Sequence, residues 1–259
     1  MSNTDNVFHN IFQEKQNKSK NKVEEFLKDP GTRQIHDLRT SIRRLEAAYL
    51  IFPKSCKRKK TDSFVSSYKS LFKKNSSIRD SDVIIGELLR NGLTDNSKII
   101  KTVIKQKNKK LKSVLKNAKK ISKLKFVELE NTSTEKIIKK YEKIIYSLIT
   151  KIQKYIPIVI SDESKIKELH SMRKTAKKLR YILEVEPNHS YQHIIDNMKS
   201  FQELLGKIHD CDITVEHLKK YSKKNSEVKS LILKESKIRS EMYNKLADSL
   251  SINTAQEQS

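Results

Sequence analysis

Apolar side chains recur at steps of three and four residues along most of the chain, which is the period of an amphipathic helix. The clearest example runs from Ile35 to Tyr49. Its apolar positions are Ile35, Leu38, Ile42, Leu45 and Tyr49. On the opposite side, His36, Arg39 and Arg43 follow the same spacing, and Arg44 flanks them. The pattern predicts a helix with one face in the core and a row of cationic side chains on the other.

The same pattern recurs in the stretch Leu169 to Leu183, with apolar positions Leu169, Met172, Ala176, Leu179 and Leu183. With a shift of 134 positions, His170, Arg173, Lys177 and Lys178 align with His36, Arg39, Arg43 and Arg44. A second pair of segments, I-R-D-S-D-V from Ile78 and I-H-D-C-D-I from Ile208, also aligns, with a shift of 130. Two landmarks in the same order indicate an internal duplication. We assign the repeats to residues 6–128 and 133–250.

Turn signals divide each half into about five predicted helices. Breaks are expected at Asn75–Ser77, at Asn131–Ser133 between the halves, at Pro157 and at Gly206. Thr32 is expected to cap the first cationic helix. The aspartates of the two landmarks would then lie in the first turn of a helix, accepting free amide groups: they are Asp80, Asp82, Asp210 and Asp212. No alternating strand pattern is present, so an all-α fold of two pseudo-symmetric helical bundles is predicted.

The charge of the chain points to a polyanionic partner. Lys and Arg total 55 against 31 Asp and Glu, a formal net charge of +24. Drift of the composition toward Lys explains part of this excess, but it does not explain why the arginines concentrate in the two motif regions. The two cysteines show no metal or disulfide spacing. The polar N-terminus and the lack of an apolar run near ~18 residues favour a cytoplasmic protein without a membrane partner.

A row of His, Arg and Lys at one-turn spacing places cationic donors about 5–6 Å apart along a helix face. Arg offers a planar fork and Lys a mobile point charge, and both bind phosphate oxygens. Two such helices related by an internal pseudo-two-fold axis are expected to face each other and form a basic groove or channel. Because arginines flank His36 and His170, binding of a polyanion is expected to tighten as the pH falls toward about 6.

Catalytic and metal-dependent alternatives have weaker support in the sequence. The pairs His36-Asp37 and His209-Asp210 resemble the H-D pair of metal-dependent phosphohydrolases, but they do not occupy equivalent positions in the two halves. No Gly-rich phosphate loop and no nucleophile triad is readable, and the chain has only four glycines. We therefore expect no catalytic residue, no cofactor and no resident metal, and we interpret the protein as a binding protein rather than an enzyme.

The helices H-D-L-R-T-S-I-R-R-L and H-S-M-R-K-T-A-K-K-L-R-Y, each followed by an [RH]-D-x-D-[VI] landmark, resemble the CHAD family, the conserved histidine α-helical domain. The resemblance covers about residues 6–250 and implies a single CHAD domain over 1–259. It also implies binding of inorganic polyphosphate in a basic central cavity and an association with polyphosphate granules. By position, the implied ligands are His36, Arg39, Arg43, Arg44, Lys73, Arg79, His170, Arg173, Lys177, Lys178 and Arg180.

This chain departs from the family pattern at several positions. Ser76 stands where the family usually has the glycine seen here as Gly206, His209 replaces the landmark arginine, and two lysines replace arginines in the second helix. The E-x-E-x-K signature of the CYTH family is absent. The resemblance therefore predicts a standalone CHAD protein, with a separate CYTH-type triphosphate tunnel enzyme as a candidate partner.

Three functions follow, in order of support. The first is non-catalytic binding of inorganic polyphosphate. The second is general polyanion or nucleic-acid binding, which lacks a recognised DNA-binding motif and aromatic residues near the basic rows. The third is a metal-dependent phosphohydrolase that would use Asp80 and Asp210.

Overall fold

Eight α-helices form the fold in the computed structural model, which describes residues 7–188, 190–222 and 226–256, with side chains described to Ser251. The helices are α1 (Val7–Lys28), α2 (Thr32–Leu50), α3 (Lys59–Arg90), α4 (Lys98–Ile121), α5 (Thr134–Ser161), α6 (Ile166–Leu183), α7 (Gln192–Lys219) and α8 (Ser226–Gln256). A short 3₁₀ helix, Lys54–Cys56, lies between α2 and α3. No strand occurs in the described ranges, so the predicted all-α class is confirmed.

The predicted core faces of the two motif helices are correct. In α2 the five apolar positions from Ile35 to Tyr49 are all buried, and in α6 the five from Leu169 to Leu183 are buried as well. The spacing places these side chains on one stripe of each helix, and burying that stripe stabilises the helix against its neighbours. The cationic positions therefore lie outside the core in both helices.

The number of helices differs from the prediction because two expected breaks do not occur. α3 continues through Asn75–Ser77 and α7 continues through Gly206. In α3, Ser76 Oγ donates to the Phe72 carbonyl (3.2 Å) and Ser81 Oγ to the Ser77 carbonyl (2.9 Å), so these short polar side chains are satisfied inside a helix. Gly206 costs about 1 kcal/mol relative to Ala. That cost is small beside the burial of its neighbours Leu205 and Ile208.

The predicted end of α5 and the predicted N-cap of α2 were also wrong. Pro157 lies inside α5 instead of ending it, and Thr32 is the first residue of α2, with Gly31 at the N-cap and no side-chain cap bond. Proline removes one helical hydrogen bond. The last turn of α5 nevertheless persists, because Val159 is buried and its carbonyl accepts a 2.6 Å hydrogen bond from the Tyr243 hydroxyl. The boundary expected near Asn131–Ser133 lies within the non-helical segment 122–133.

The chain divides into two compact units, and each draws on both halves of the sequence. The first unit comprises Met1–Asp82, Thr102–Tyr146 and Tyr181–Gln192, and the second comprises Val83–Lys101, Ser147–Arg180 and His193–Ser259. Four helices precede the segment 122–133 and four follow it, which is compatible with a duplication. The repeats themselves stay a prediction.

In the first unit, α1 packs against α2, and the segment 122–133 is hydrogen-bonded to α1. Phe12 contacts Tyr49 and Phe52 at ring-centroid distances of 6.0 and 6.2 Å. Gln16, fully buried, bonds both the amide and the carbonyl of Val127 through its side chain. Because a buried peptide group without a partner is costly, this pair of bonds orders the non-helical segment.

In the second unit, Leu169 and Met172 of α6 share a buried cluster with residues of α5, α7 and α8. The buried cluster contains Val159, Leu169, Met172, Leu205, Ile208, Tyr243, Leu246 and Leu250. Gln202, also buried, donates to the Ala176 carbonyl at 3.0 Å. These contacts set the position of α6 against α7, which carry the second motif and the second landmark.

Helix α5 is more apolar than predicted. Among the described helices it alone has an 18-residue window with a mean hydropathy of 1.2 and at most two charged residues, and 11% of that window is buried. The prediction that no apolar run approaches the length of a membrane span was therefore wrong for Thr134–Ser161. Length and composition are the only grounds for such a span, so the absence of a membrane partner stays a prediction.

Candidate functional site

In the first unit, Arg39 and Arg43 of α2 are both held on one aromatic ring of α3. The guanidinium carbons lie 4.0 and 4.5 Å from the centroid of the Phe72 ring. Arg39 Nη1 also donates to the Phe72 carbonyl at 3.0 Å. Burial lowers the pKa of Arg43, although Tyr181 and Glu46 act in the opposite direction. Two preordered, half-buried guanidinium groups form a base for binding an anion.

Ser76, which departs from the family pattern, takes part in this arrangement. Its hydroxyl donates to the Phe72 carbonyl and accepts a 3.1 Å hydrogen bond from Arg39 Nη1. A glycine at this position would lack the acceptor. The departure therefore helps to position Arg39 rather than removing it from the site.

The other predicted residues of the first unit are more exposed. Arg44 Nε donates to Glu184 Oε2 at 2.8 Å, and its side chain is 45% exposed. His36 is 63% exposed and its Nδ1 lies 3.4 Å from Asp37 Oδ1. Lys73 is exposed and Arg79 is half-buried, both on α3. An incoming polyanion must compete with Glu184 for Arg44, so Arg39 and Arg43 are the better candidates for anion binding.

In the second unit, the motif histidine meets a histidine that was not among the predicted ligands. His170 Nδ1 lies 3.3 Å from His209 Nδ1, and the ring centroids are 4.7 Å apart. A cavity of about 10 Å³, roughly the volume for one water molecule, lies beside them. Its lining residues are Leu169, His170, Arg173, Leu205, Ile208, His209 and Asp212. Alignment of His209 with Arg79 was the sequence signal for this residue.

Positive charge converges on His209. Burial, together with Arg173, His170, Lys177 and Lys174, lowers its pKa to about 3. The pKa of His170 is lowered by burial and then by Lys174 and Arg173. Because these cations disfavour one another's charged forms, an anion placed among them would be bound favourably. Of the predicted residues, the structure thus brings together His170, Arg173 and Lys177.

The two remaining predicted ligands of α6 are Lys178, which is exposed, and Arg180, which is half-buried. They lie on the same helix as the cluster around His209. The predicted central cavity between the two motif helices stays a prediction.

The second aspartate of each landmark, Asp82 and Asp212, pairs with a cation of a neighbouring helix instead of capping a helix. Asp82 Oδ1 pairs with Lys107 Nζ of α4 at 2.5 Å, and Asp212 Oδ1 accepts from Arg239 Nε of α8 at 2.6 Å. The predicted position in a first helical turn was wrong, because α3 and α7 continue past their expected breaks and place all four aspartates within helices. Among the described residues, no group of three or more His, Cys, Asp or Glu side chains is arranged to hold a metal ion.

Comparison with known proteins agrees with the motifs. The model of the CHAD domain family matches residues 11–219. The chain belongs to the CHAD family. Among solved structures, the crystal structure of the CHAD domain from the plant Ricinus communis matches this CHAD protein with a TM-score of 0.67. That match covers 95% of this chain and 91% of the plant chain at 14% identity, so it shows the fold alone. A comparison with curated proteins found no match.

Proposed function

We propose that this CHAD protein binds inorganic polyphosphate without catalysis, through the cationic faces of α2 and α6. The observation that carries the proposal is the group of cations around the half-buried His209, whose Nδ1 lies 3.3 Å from His170 Nδ1. His209 lines a cavity with Arg173, and its charge is opposed by Lys174 and Lys177. Arg39 and Arg43, ordered on Phe72, supply a second pair of fixed donors. Donors held on rigid helices lose little conformational freedom on binding, which favours a linear chain of phosphates.

The first test is a titration of the protein with long-chain polyphosphate at 50 and 200 mM salt. A site that displaces counterions from several phosphates is expected to lose affinity steeply with salt, by analogy with nucleic acids. RNA of matched total charge should not displace the bound polyphosphate, and orthophosphate should bind far more weakly than the chain. Equal displacement by RNA would instead favour a general polyanion binder, and phosphate release stimulated by a divalent metal would favour a hydrolase.

A second prediction concerns pH. In the free protein, burial and neighbouring cations keep the pKa values of His170 and His209 below the ordinary value of 6.5. A bound polyanion favours their protonated forms and raises those pKa values, so binding takes up protons and tightens as the pH falls. We expect the affinity to increase mainly as the pH falls below the ordinary histidine value of about 6.5, by at most about tenfold per pH unit for each proton taken up.

The control for the pH effect is another histidine. His170→Gln combined with His209→Gln is expected to flatten the pH dependence, while His193→Gln, at an exposed position on α7, should leave it unchanged. The groups that face the pair are Arg173, Lys174 and Lys177 of α6 and Asp212 of α7, which is bound to Arg239 of α8. An unchanged slope in the double variant would exclude the histidine pair as the source.

A further inference from the structure

A second cationic surface lies outside the motif helices, on α4. Between Asp95 and Glu128 the chain contains twelve lysines and no acidic residue, although acidic residues elsewhere occur about once in every seven or eight positions. The apolar positions of α4, such as Val103, Val114 and Ala118, are buried. Six lysines on the opposite side are exposed, and we call them the α4 face: Lys105, Lys109, Lys112, Lys116, Lys119 and Lys120.

The spacing of the α4 face makes it a straight row. Steps of three and four residues keep these side chains on one side of the helix, with neighbours about 5–6 Å apart. At a rise of 1.5 Å per residue, Lys105 to Lys120 spans about 22 Å. None of the six forms an ion pair with a carboxylate in the described part of the chain, whereas Lys107, on the inner side, pairs with Asp82.

An ordinary solvated helix face does not have this composition. Like charges three and four residues apart destabilise a helix, and acidic residues between them would relieve the repulsion. On α8, by contrast, the exposed lysines share the helix surface with three exposed acidic residues, Glu227, Glu241 and Asp248. The sequence of α4 contains no acidic residue that would reduce the repulsion between its lysines. An external polyanion would therefore neutralise the row.

We propose that the α4 face binds the phosphate backbone of a nucleic-acid duplex, without reading its sequence. The exposed positions between the lysines, such as Asn108 and Ser113, are polar. The face therefore offers neither an aromatic platform for the bases of a single strand nor an apolar anchor for insertion into a membrane. A duplex is already straight over about 50 nm, so it pays little entropy to lie along a straight row, whereas a flexible polyphosphate chain must be ordered.

The experiment measures binding of a fluorescent 24-base-pair DNA duplex of mixed sequence by anisotropy, across a series of salt concentrations. The α4 variant combines Lys109→Gln, Lys112→Gln, Lys116→Gln and Lys120→Gln. Gln keeps a high helix propensity, and circular dichroism checks the fold. If all four lysines contact phosphates, affinity should fall at least tenfold at low salt, and the slope of log K against log salt should shrink by about 3 to 4.

The matched control removes the same charge from α8, through Lys229→Gln, Lys234→Gln, Lys237→Gln and Lys245→Gln, all at exposed positions. It is expected to weaken duplex binding less than threefold. Equal losses in the two variants would overturn the proposal in favour of net charge alone, and duplex binding unchanged in the α4 variant would overturn it outright. The proposal would also be overturned if the α4 variant lost its binding to phosphatidylserine vesicles but still bound the duplex with unchanged affinity.

This proposal does not depend on polyphosphate binding, and the two are separable. Charge reversal at Arg39 and Arg173 should leave duplex binding in place, and the α4 variant should still bind polyphosphate. If the wild-type protein failed to bind polyphosphate but bound duplex through the α4 face, only the function proposed for the motif helices would fall.

Discussion

Charge reversal at Arg39 together with Arg173 is expected to lower polyphosphate affinity by at least about 100-fold. Each arginine is placed to make charge-assisted hydrogen bonds, worth about 1.5–3 kcal/mol each, and each glutamate adds repulsion. Arg39 is oriented by Phe72 and Ser76, and Arg173 lies among the cations around His209. Isothermal titration with long-chain polyphosphate at 100 mM salt measures the loss.

The fold should survive this change. The Phe72 carbonyl, which accepts from Arg39, also accepts from Ser76 Oγ, so it keeps a partner when Arg39 is replaced. If the reversed variant does not fold, Arg39→Gln with Arg173→Gln removes the same donors without adding negative charge and should still weaken binding at least tenfold. The control, Lys229→Glu with Lys245→Glu, makes the same charge change on the exposed face of α8. Normal binding by both motif variants would refute the site.

Replacing Arg239 by methionine is expected to destabilise the folded protein by about 3–5 kcal/mol, because it leaves Asp212 buried without its cation. The two side chains are only 12% and 14% exposed, and Arg239 Nη2 also donates to the Glu163 carbonyl at 2.8 Å. Burial raises the pKa of Asp212 and Arg239 opposes that rise. Urea unfolding monitored by circular dichroism measures the change in stability.

The pH dependence of this variant has a definite sign. Without Arg239 the folded-state pKa of Asp212 rises further above its unfolded value near 3.8, so the folded state favours the protonated acid. The loss of stability should therefore be small below that value, should grow as the pH rises toward the folded-state pKa, and should level off above it. Adding Asp212→Asn should recover part of the loss.

The control for Arg239 is Arg58→Met. Arg58 pairs with Glu130 at the surface, with the arginine side chain 74% exposed, so its removal should change stability by less than about 1 kcal/mol. A loss for Arg239→Met no larger than that of the control would show that the pair with Asp212 is not a stabilising contact.

Side-chain hydrogen bonds explain why some of the predicted helix boundaries were wrong. Asn75–Ser77 has the composition of a break, but Ser76 and Ser81 bond to carbonyls one turn back and remain helical. Because breaks were predicted there, Asp80 and Asp210 were expected at helix starts, whereas both lie inside long helices. Helix propensity describes each segment by itself. The free energy gained by burying the flanking apolar residues outweighed the low propensity of these segments.

The candidate site was predictable only on the motif helices themselves. Arg39, Arg43, His170, Arg173 and Lys177 follow from spacing and from the CHAD motif. The role of His209 does not, because its position 39 residues away in sequence becomes adjacent to His170 only when α7 packs against α6. The pair that Asp212 forms with Arg239 of α8 depends in the same way on the packing of separate helices.

The sequence by itself determined the helical class, the buried stripes of α2 and α6, the cationic rows opposite them and membership of the CHAD family. The helical class, the stripes and the rows depend on residues three and four positions apart, so periodicity encodes them, whereas the family follows from the identity of the motif residues. Only the tertiary structure decided that Phe72 orders Arg39 and Arg43, that cations converge on His209, and that Asp82 and Asp212 hold α4 and α8. Such pairs join different helices. Which residues meet depends on how the buried faces of those helices pack together, and a local sequence pattern does not contain that information.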